Sequence, residues 1–153
     1  MPIRPARASD LAALVAIENE SFVDDRLSRR SLRYFLAAPN TVLLVFDARG
    51  SILGYSLVAL RKGSRLARLY SIAVCRAARG RDLGNALLRA AEAAARRHGA
   101  TDMRLEVRGR NRRAIALYQR RGYRCIGQIE DYYADGAPAL RYEKSLIRIA
   151  RQQ

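Results

Sequence analysis

Residues 69–85 read Leu69-Tyr70-Ser71-Ile72-Ala73-Val74, then Cys75-Arg76-Ala77-Ala78-Arg79-Gly80-Arg81-Asp82-Leu83-Gly84-Asn85. The first part is apolar enough for a strand covered on both faces, and the second is an Arg/Gly turn. A helix follows, with Leu83, Leu87, Ala90, Ala91, Ala94 and Ala95 at helical spacing. It closes with Arg96, Arg97 and His98 in its last turn and Gly99 just beyond, the cations and glycine that a helix C-terminus favours. A glycine-bearing turn running into a helix N-terminus leaves backbone N–H groups unpaired and pointing outward, with the positive end of the helix dipole behind them. Such a site suits a diphosphate.

Working outward, Met103 to Val107 reads as a second strand, with Met103, Leu105 and Val107 on one face and Glu106 on the other. Asn111 opens a short helix that carries Ala114, Leu117 and Tyr118 and ends at Gly122. Upstream, Ser9-Asp10 starts a helix striped by Leu11, Leu14, Val15 and Ile17 to about Asn19, and Ser28 caps another that Pro39 stops. Thr41 to Asp47 and Ile52 to Leu60 form a hairpin around Ala48-Arg49-Gly50, and Leu66 to Val74 continues the sheet. Arg124 to Glu130 and Ala139 to Leu146 supply the last strands. The expected architecture is α/β, one domain over residues 1–153.

Two blocks carry a resemblance to the GCN5-related N-acetyltransferases (GNAT family). Arg79, Gly80, Arg81, Asp82, Leu83 and Gly84 resemble that family's pyrophosphate loop, with Asp82 where the family has its first glycine. Leu105-Glu106-Val107-Arg108 through Asn111, Ala114, Leu117-Tyr118, Gly122 and Tyr123 resembles its second cofactor-binding segment. Within the family the chain is most similar to the ribosomal-protein-alanine N-acetyltransferases (RimI type), through these segments and Asp131-Tyr132-Tyr133 with Asp135-Gly136. The resemblance implies a mixed sheet splayed between the strands ending near Val74 and Val107, helices on both faces, and acetyl-CoA seated in the opening. It implies cofactor contacts from Ile72, Ala73, Val74, Arg79, Gly80, Arg81, Asp82, Leu83, Gly84, Asn85, Asn111, Ala114 and Tyr118, with the Val74 backbone N–H as donor to the carbonyl oxygen. It also implies an acceptor groove walled by Tyr132 and Tyr133, with Phe22 opposite. Val23 and Asp24 stand where those enzymes usually have Pro-Trp.

Acyl transfer from a thioester to an amine needs a neutral amine, a stabilised carbonyl oxygen and a proton for the departing thiolate. By resemblance Glu106 is the general base, acting through water. A salt bridge to Arg104 or Arg108 is the structural alternative. Tyr118 is the general acid, since a phenol with a reference pKa of about 10 keeps its proton at neutral pH; the alternative is a core tyrosine. Asn111 can be both helix cap and cofactor contact, and His98 reads as a structural cation. An α-amine with a pKa near 8 is neutral in roughly a tenth to a third of molecules at pH 7.5, a lysine amine in about one in a thousand. One carboxylate fits the first task more easily. Acidic residues at Glu18, Glu20, Asp24 and Asp25, and at Glu130, Asp131 and Asp135, suggest a cationic acceptor such as the N-terminus of a basic, ribosomal protein.

The chain has 153 residues and a formal net charge of +15, carried almost wholly by Arg. This field attracts polyanions such as coenzyme A phosphates or ribosomal RNA, although an organism-wide preference for Arg codons would give the same bias. No apolar run approaches the ~18 residues of a membrane span, and the start of the chain has no apolar signal region, so a cytoplasmic protein without membrane partners is expected, as a monomer or weak dimer. Cys75 and Cys125 have no metal-ligand or disulfide spacing, and both read as reduced thiols in or near the core; no metal is expected. Acetylation of a small amine or a lysine side chain, and a non-catalytic RNA-binding module of the same fold, are the competing functions. Asp82 keeps the last open, unless it turns away while Arg76, Arg79 and Arg81 offset its charge.

Overall fold

The structure, a computed structural model, describes residues 2–147. Its strands form one sheet in the order β1-β2-β3-β4-β5-β7-β6: β1 (Ile3–Pro5), β2 (Thr41–Ala48), β3 (Ser51–Ala59), β4 (Leu66–Val74), β5 (Asp102–Arg108), β6 (Arg124–Ile129) and β7 (Ala139–Ser145). Helices α1 (Leu11–Ser21), α2 (Arg29–Ala37), α3 (Leu83–Arg97) and α4 (Arg112–Arg120) cover it. β1 was not expected from the sequence. Pro5 within it and Pro2 just before it mask a strand; it pairs with β2, and Arg4 fastens it to Asp10 at 2.8 Å and Asp47 at 2.9 Å.

All neighbouring strands are antiparallel except β4 and β5, which run parallel. Their pairing lasts only from Leu66–Arg68 against Asp102–Arg104. Beyond it each follows its other neighbour, β3 for β4 and β7 for β5, and a wedge opens between them. A bulge sits at the point of parting: Leu57 faces Ser71 and Val58 faces Leu69, so Tyr70 has no partner. Such an extra residue bends the strand and re-aims its side chains.

The sheet separates two apolar cores. On one face α3 and α4 bring Leu88, Ala91 and Tyr118 against Val58, Leu69, Met103 and Leu105. On the other α1 and α2 bring Leu14, Ile17 and Leu32 against Tyr55, Leu57 and Ala73. Each fully buried leucine contributes about 1.5–3 kcal/mol. α3 lies so near the sheet that a Cβ at Gly54 would stand 2.8 Å from the Ala73 carbonyl and 2.9 Å from Leu87 Cδ1. The buried stripe of α3 includes Leu88 and Glu92, which the Leu/Ala spacing passed over. Glu92 is tolerated because Tyr123 Oη, Arg121 and Lys144 all donate to it. Cys75 is half-buried, but Cys125 lies exposed on the edge strand β6 rather than near the core.

Candidate active site

The wedge opens into a cleft of about 930 Å³ lined by Ile72, Ala73 and Val74 from β4, by the turn before α3, and by Asn111, Ala114 and Leu117 at the start of α4. Arg79, Gly80, Asp82, Leu83, Gly84 and Asn85 line it, as does Phe22; Arg81 does not. Among the described residues no acceptor meets the backbone N–H groups of Gly80 through Asn85, and the first bond of α3 runs from Ala86 N–H to the Asp82 carbonyl at 3.2 Å. Gly80 has φ +88° with open space where a side chain would stand. Asp82 takes the left-handed conformation, φ 63° and ψ 22°, which a glycine adopts freely and aspartate tolerates at a cost of about 1 kcal/mol. Its Oδ2 accepts a hydrogen bond from Asn85 Nδ2 at 3.2 Å. Asn85, not the three nearby arginines, answers this carboxylate: no ion pair joins Asp82 to Arg76, Arg79 or Arg81 among the described residues. A diphosphate fits the row of free N–H groups, with the Asp82 carboxylate drawn toward Asn85 at its edge.

A second cavity, about 330 Å³, adjoins the first across Phe22, Ile72, Asn111 and Ala114 and holds Glu18, Ser71, Glu106, Tyr118 and Tyr133. The alternation on β5 sends Met103, Leu105 and Val107 into the α3 core and Glu106 to the opposite face. Glu106 has a side chain only 3% exposed, with Arg68 Nη2 2.7 Å from its Oε1 and Arg141 Nε 2.9 Å from its Oε2. The Arg68 contact is an ion pair without hydrogen-bond alignment, which leaves Oε1 free to accept another donor. The expected alternative partners lie elsewhere, Arg104 on Glu143 and Arg108 on Asp25 and Asp135. Arg104 and Arg108 share the face of Glu106 but are taken by Glu143, Asp25 and Asp135, and the pairing cations come from the neighbouring strands β4 and β7.

Tyr118 is 6% exposed, and its hydroxyl has no hydrogen-bond partner among the described residues. Burial, with the Tyr133 hydroxyl nearby, pushes its ionisation well above that of a free phenol, so it holds its proton for donation. Asn111 Oδ1 accepts from Ala114 N–H at 3.3 Å and caps α4. Tyr132 and Tyr133 pack edge to face at 4.9 Å. Only Tyr133 lines the pocket, its phenol pushed up to about 12 chiefly by burial; Tyr132 instead accepts a hydrogen bond from Arg68. His98 Nδ1 bonds the Ala94 carbonyl region of the α3 terminus at 2.9 Å and takes no part in the cleft.

The acidic groups read as a field for a cationic acceptor are mostly committed to this chain. Glu18 accepts from Tyr55 Oη and from Leu27 N–H at 2.7 Å. Glu20 accepts from Arg76 N–H at 2.7 Å. Glu130 accepts from Gln128 Nε2 at 2.6 Å. Arg108 takes both Asp25, at 2.6 Å, and Asp135, at 2.9 Å, with its guanidinium 4.1 Å from the Tyr133 ring centre. These bonds tie the α1–α2 loop to the β6–β7 loop through Arg108, which lines the pocket. Sequence reasoning missed Arg68, Arg141 and this role of Arg108, because each partner is brought from a remote segment. Among the described residues no His/Cys/Asp/Glu cluster is arranged to hold a metal, and no helix is long and apolar enough to cross a membrane.

Residues 11–123 match the family described as Acetyltransferase (GNAT). The chain is 32% identical over 148 residues to the N-terminal acetyltransferase A complex catalytic subunit NAA10 of Arabidopsis thaliana, covering 94% of this chain and 77% of that one. It is 30% identical over 148 residues to an N-alpha-acetyltransferase of Sulfurisphaera tokodaii, covering 90% and 88%. The crystal structure of the ribosomal-protein-S18-alanine N-acetyltransferase from Escherichia coli superposes with a TM-score of 0.84 at 23% identity, over 99% of this chain and 97% of that one.

Proposed function

The chain belongs to the Acetyltransferase (GNAT) family and transfers acetyl groups from acetyl-CoA to amines; from that premise we propose that its acceptor is the α-amine at the N-terminus of a protein, as for the ribosomal-protein-alanine type. The observation that carries this reading is the tie made by Arg108. With Asp25 and Asp135 both held by Arg108, which lines the small pocket, a chain laid between the two loops must part them, whereas a chain end enters without doing so. The names of the two relatives point the same way.

In this reading the turn from Gly80 to Asn85 holds the diphosphate of acetyl-CoA with backbone donors, and Ile72 to Val74 run beside its pantetheine arm. The cofactor supplies a thioester activated toward attack. Glu106 lines the pocket, its Oε1 buried and without a hydrogen-bond donor, and takes the amine proton through a water. Tyr118, also in that pocket, gives its proton to the sulfur that leaves. Arg68 and Arg141 hold the Glu106 carboxylate in place. Phe22 and Tyr133 flank the entering residue.

Paired peptides test the acceptor. One carries a free α-amine and an acetylated lysine, the other a blocked α-amine and a free lysine, in the same basic sequence. Acetyl-CoA turnover on the first alone is expected; equal turnover on the second would replace this reading with a lysine or general-amine acetyltransferase.

A further inference from the structure

One buried carboxylate in the pocket has no part in the chemistry above. Glu18, on the last turn of α1, is 1% exposed and lines the same cavity as Glu106 and Tyr118. No cation pairs with it among the described residues; its partners are the Leu27 N–H on Oε2 and the Tyr55 hydroxyl on Oε1. Tyr55, itself fully buried on β3, lies 2.8 Å from Ser71 Oγ on β4. A phenol has one proton, and Tyr55 donates it to Glu18, so the bond to Ser71 carries the Ser71 proton. The hydroxyls therefore point one way, from the cavity through Ser71 and Tyr55 to Glu18. Ser71 and Tyr55 can meet because β3 and β4 pair Leu57 with Ser71 and Tyr55 with Ala73, two steps apart on one face, just past the bulge at Tyr70.

We propose that Ser71, Tyr55 and Glu18 form a proton relay that carries the acceptor's proton from Ser71 to the Glu18 carboxylate, beside the route through Glu106. The proposal rests on the acetyltransferase reading above. In the step, as the amine nitrogen bonds the acetyl carbon, one of its N–H bonds breaks and the proton goes to Ser71 Oγ. The Ser71 proton passes to Tyr55 Oη, and the Tyr55 proton to Glu18 Oε1. The products are an amine nitrogen relieved of one proton, two intact hydroxyls and a neutral carboxylic acid, which returns its proton to water between turnovers. Neither hydroxyl carries charge at any stage if the three protons move together.

The surroundings of Glu18 make it a better proton acceptor than an exposed carboxylate. Burial raises its ionisation above the ordinary carboxylate range, against the opposing pull of the Tyr55 and Leu27 donors and the Arg26 charge on the α1–α2 loop. Tyr55, raised by burial and by Glu18, stays protonated. The groups facing this pair are Arg26 from the loop, Ser71 from β4 and Tyr118 from α4.

The test compares wild type with Ser71→Ala and Glu18→Gln, using the free-N-terminus peptide and saturating acetyl-CoA, with calorimetric binding of acetyl-CoA as the control for folding. Ser71→Ala removes the mouth of the relay and leaves both hydrogen bonds of Glu18 in place, so a merely structural Glu18 would not register it. Each variant is expected to lower kcat by about tenfold or more, to keep the acetyl-CoA affinity, and to remove the same ionisation from the acid limb of the kcat profile; the double variant should be no slower than the worse single one. Wild-type kcat and pH profile in Ser71→Ala overturns the relay, even if Glu18→Gln fails to fold. A wild type inert on the peptide overturns the acceptor reading instead. The relay is then judged by 13C titration of the Glu18 carboxyl: an ionisation above the ordinary range that Ser71→Ala displaces supports it, and an ordinary, unmoved one overturns it.

Discussion

The two halves of the cleft are built by different means. The cofactor half is made of consecutive backbone: beside the end of β4, the turn before α3 and the first turn of α3 present unpaired N–H groups from Gly80 through Asn85. The acceptor half is made of side chains that meet from distant segments, Glu106 with Arg68 and Arg141, Arg108 with Asp25 and Asp135, and Glu18 with Tyr55 and Ser71. A backbone cradle tolerates most side-chain changes because its donors are common to every residue, and it depends on conformation alone. A side-chain assembly depends on each partner's identity, so one substitution leaves the others without charge or hydrogen-bond balance.

Substitutions should divide along that line. The largest effect is expected from Tyr118→Phe, which removes the candidate acid without opening a cavity. It should slow acetyl transfer by about 100-fold while calorimetry finds acetyl-CoA affinity unchanged; full activity would move the proton donor elsewhere. Glu106→Gln follows, with a loss of about tenfold to 100-fold in kcat and a changed pH dependence, the remaining rate reflecting the second proton route. A loss of cofactor binding in either variant would blur the division between the halves.

Arg108→Gln should part the two loops. The expected result is a several-fold fall in the preference for the α-amine peptide over its lysine counterpart, read from kcat/KM on the pair; an unchanged ratio would show that the tie does not select the acceptor. On the cofactor side Asp82→Gly relieves the left-handed aspartate and removes a negative charge beside the diphosphate cradle. Coenzyme A should bind several-fold more tightly by titration, with the peptide ratio unchanged; weaker or equal binding would mean the Asp82–Asn85 contact shapes the turn.

The smallest effect concerns pH. Asp135 accepts a hydrogen bond from Ala137 N–H and lies beside Arg108, and both hold its carboxyl below the ordinary range. A depressed carboxylate contributes fully above its unfolded pKa, about 3.9, and its contribution is lost as pH falls through the lower folded value. The peptide preference should therefore stay flat from pH 7.5 to about pH 5, and thermal stability should begin to lose this contribution only below about pH 4. A preference that already declines near pH 6 would point to another group at the mouth.

Most of the fold was legible from local pattern. The span of β4 was read to the residue, and Ser28 and Asn111 cap α2 and α4 as their positions suggested. These are short-range matters of periodicity and of one side chain meeting a backbone N–H three residues on. β1 escaped because its pairing, not its composition, makes it a strand. The acidic grouping misled for a related reason: Glu18, Glu20, Asp25 and Asp135 read as available charges, yet each finds a donor within this chain.

By itself, then, the order of residues determined the strand–turn–helix cradle, the opposite facing of Glu106 and its apolar neighbours on β5, and the family to which they belong. These depend on positions a few residues apart, whose geometry the backbone repeats impose. Only the tertiary structure decided which cations pair with Glu106, that Arg108 joins Asp25 to Asp135, and that a buried Glu18 is bonded to Tyr55 and Tyr55 to Ser71. Those contacts join residues from 16 to 83 positions apart, and packing of the sheet and helices selects them from the many opposite-charge and donor–acceptor pairs that this arginine-rich chain could form.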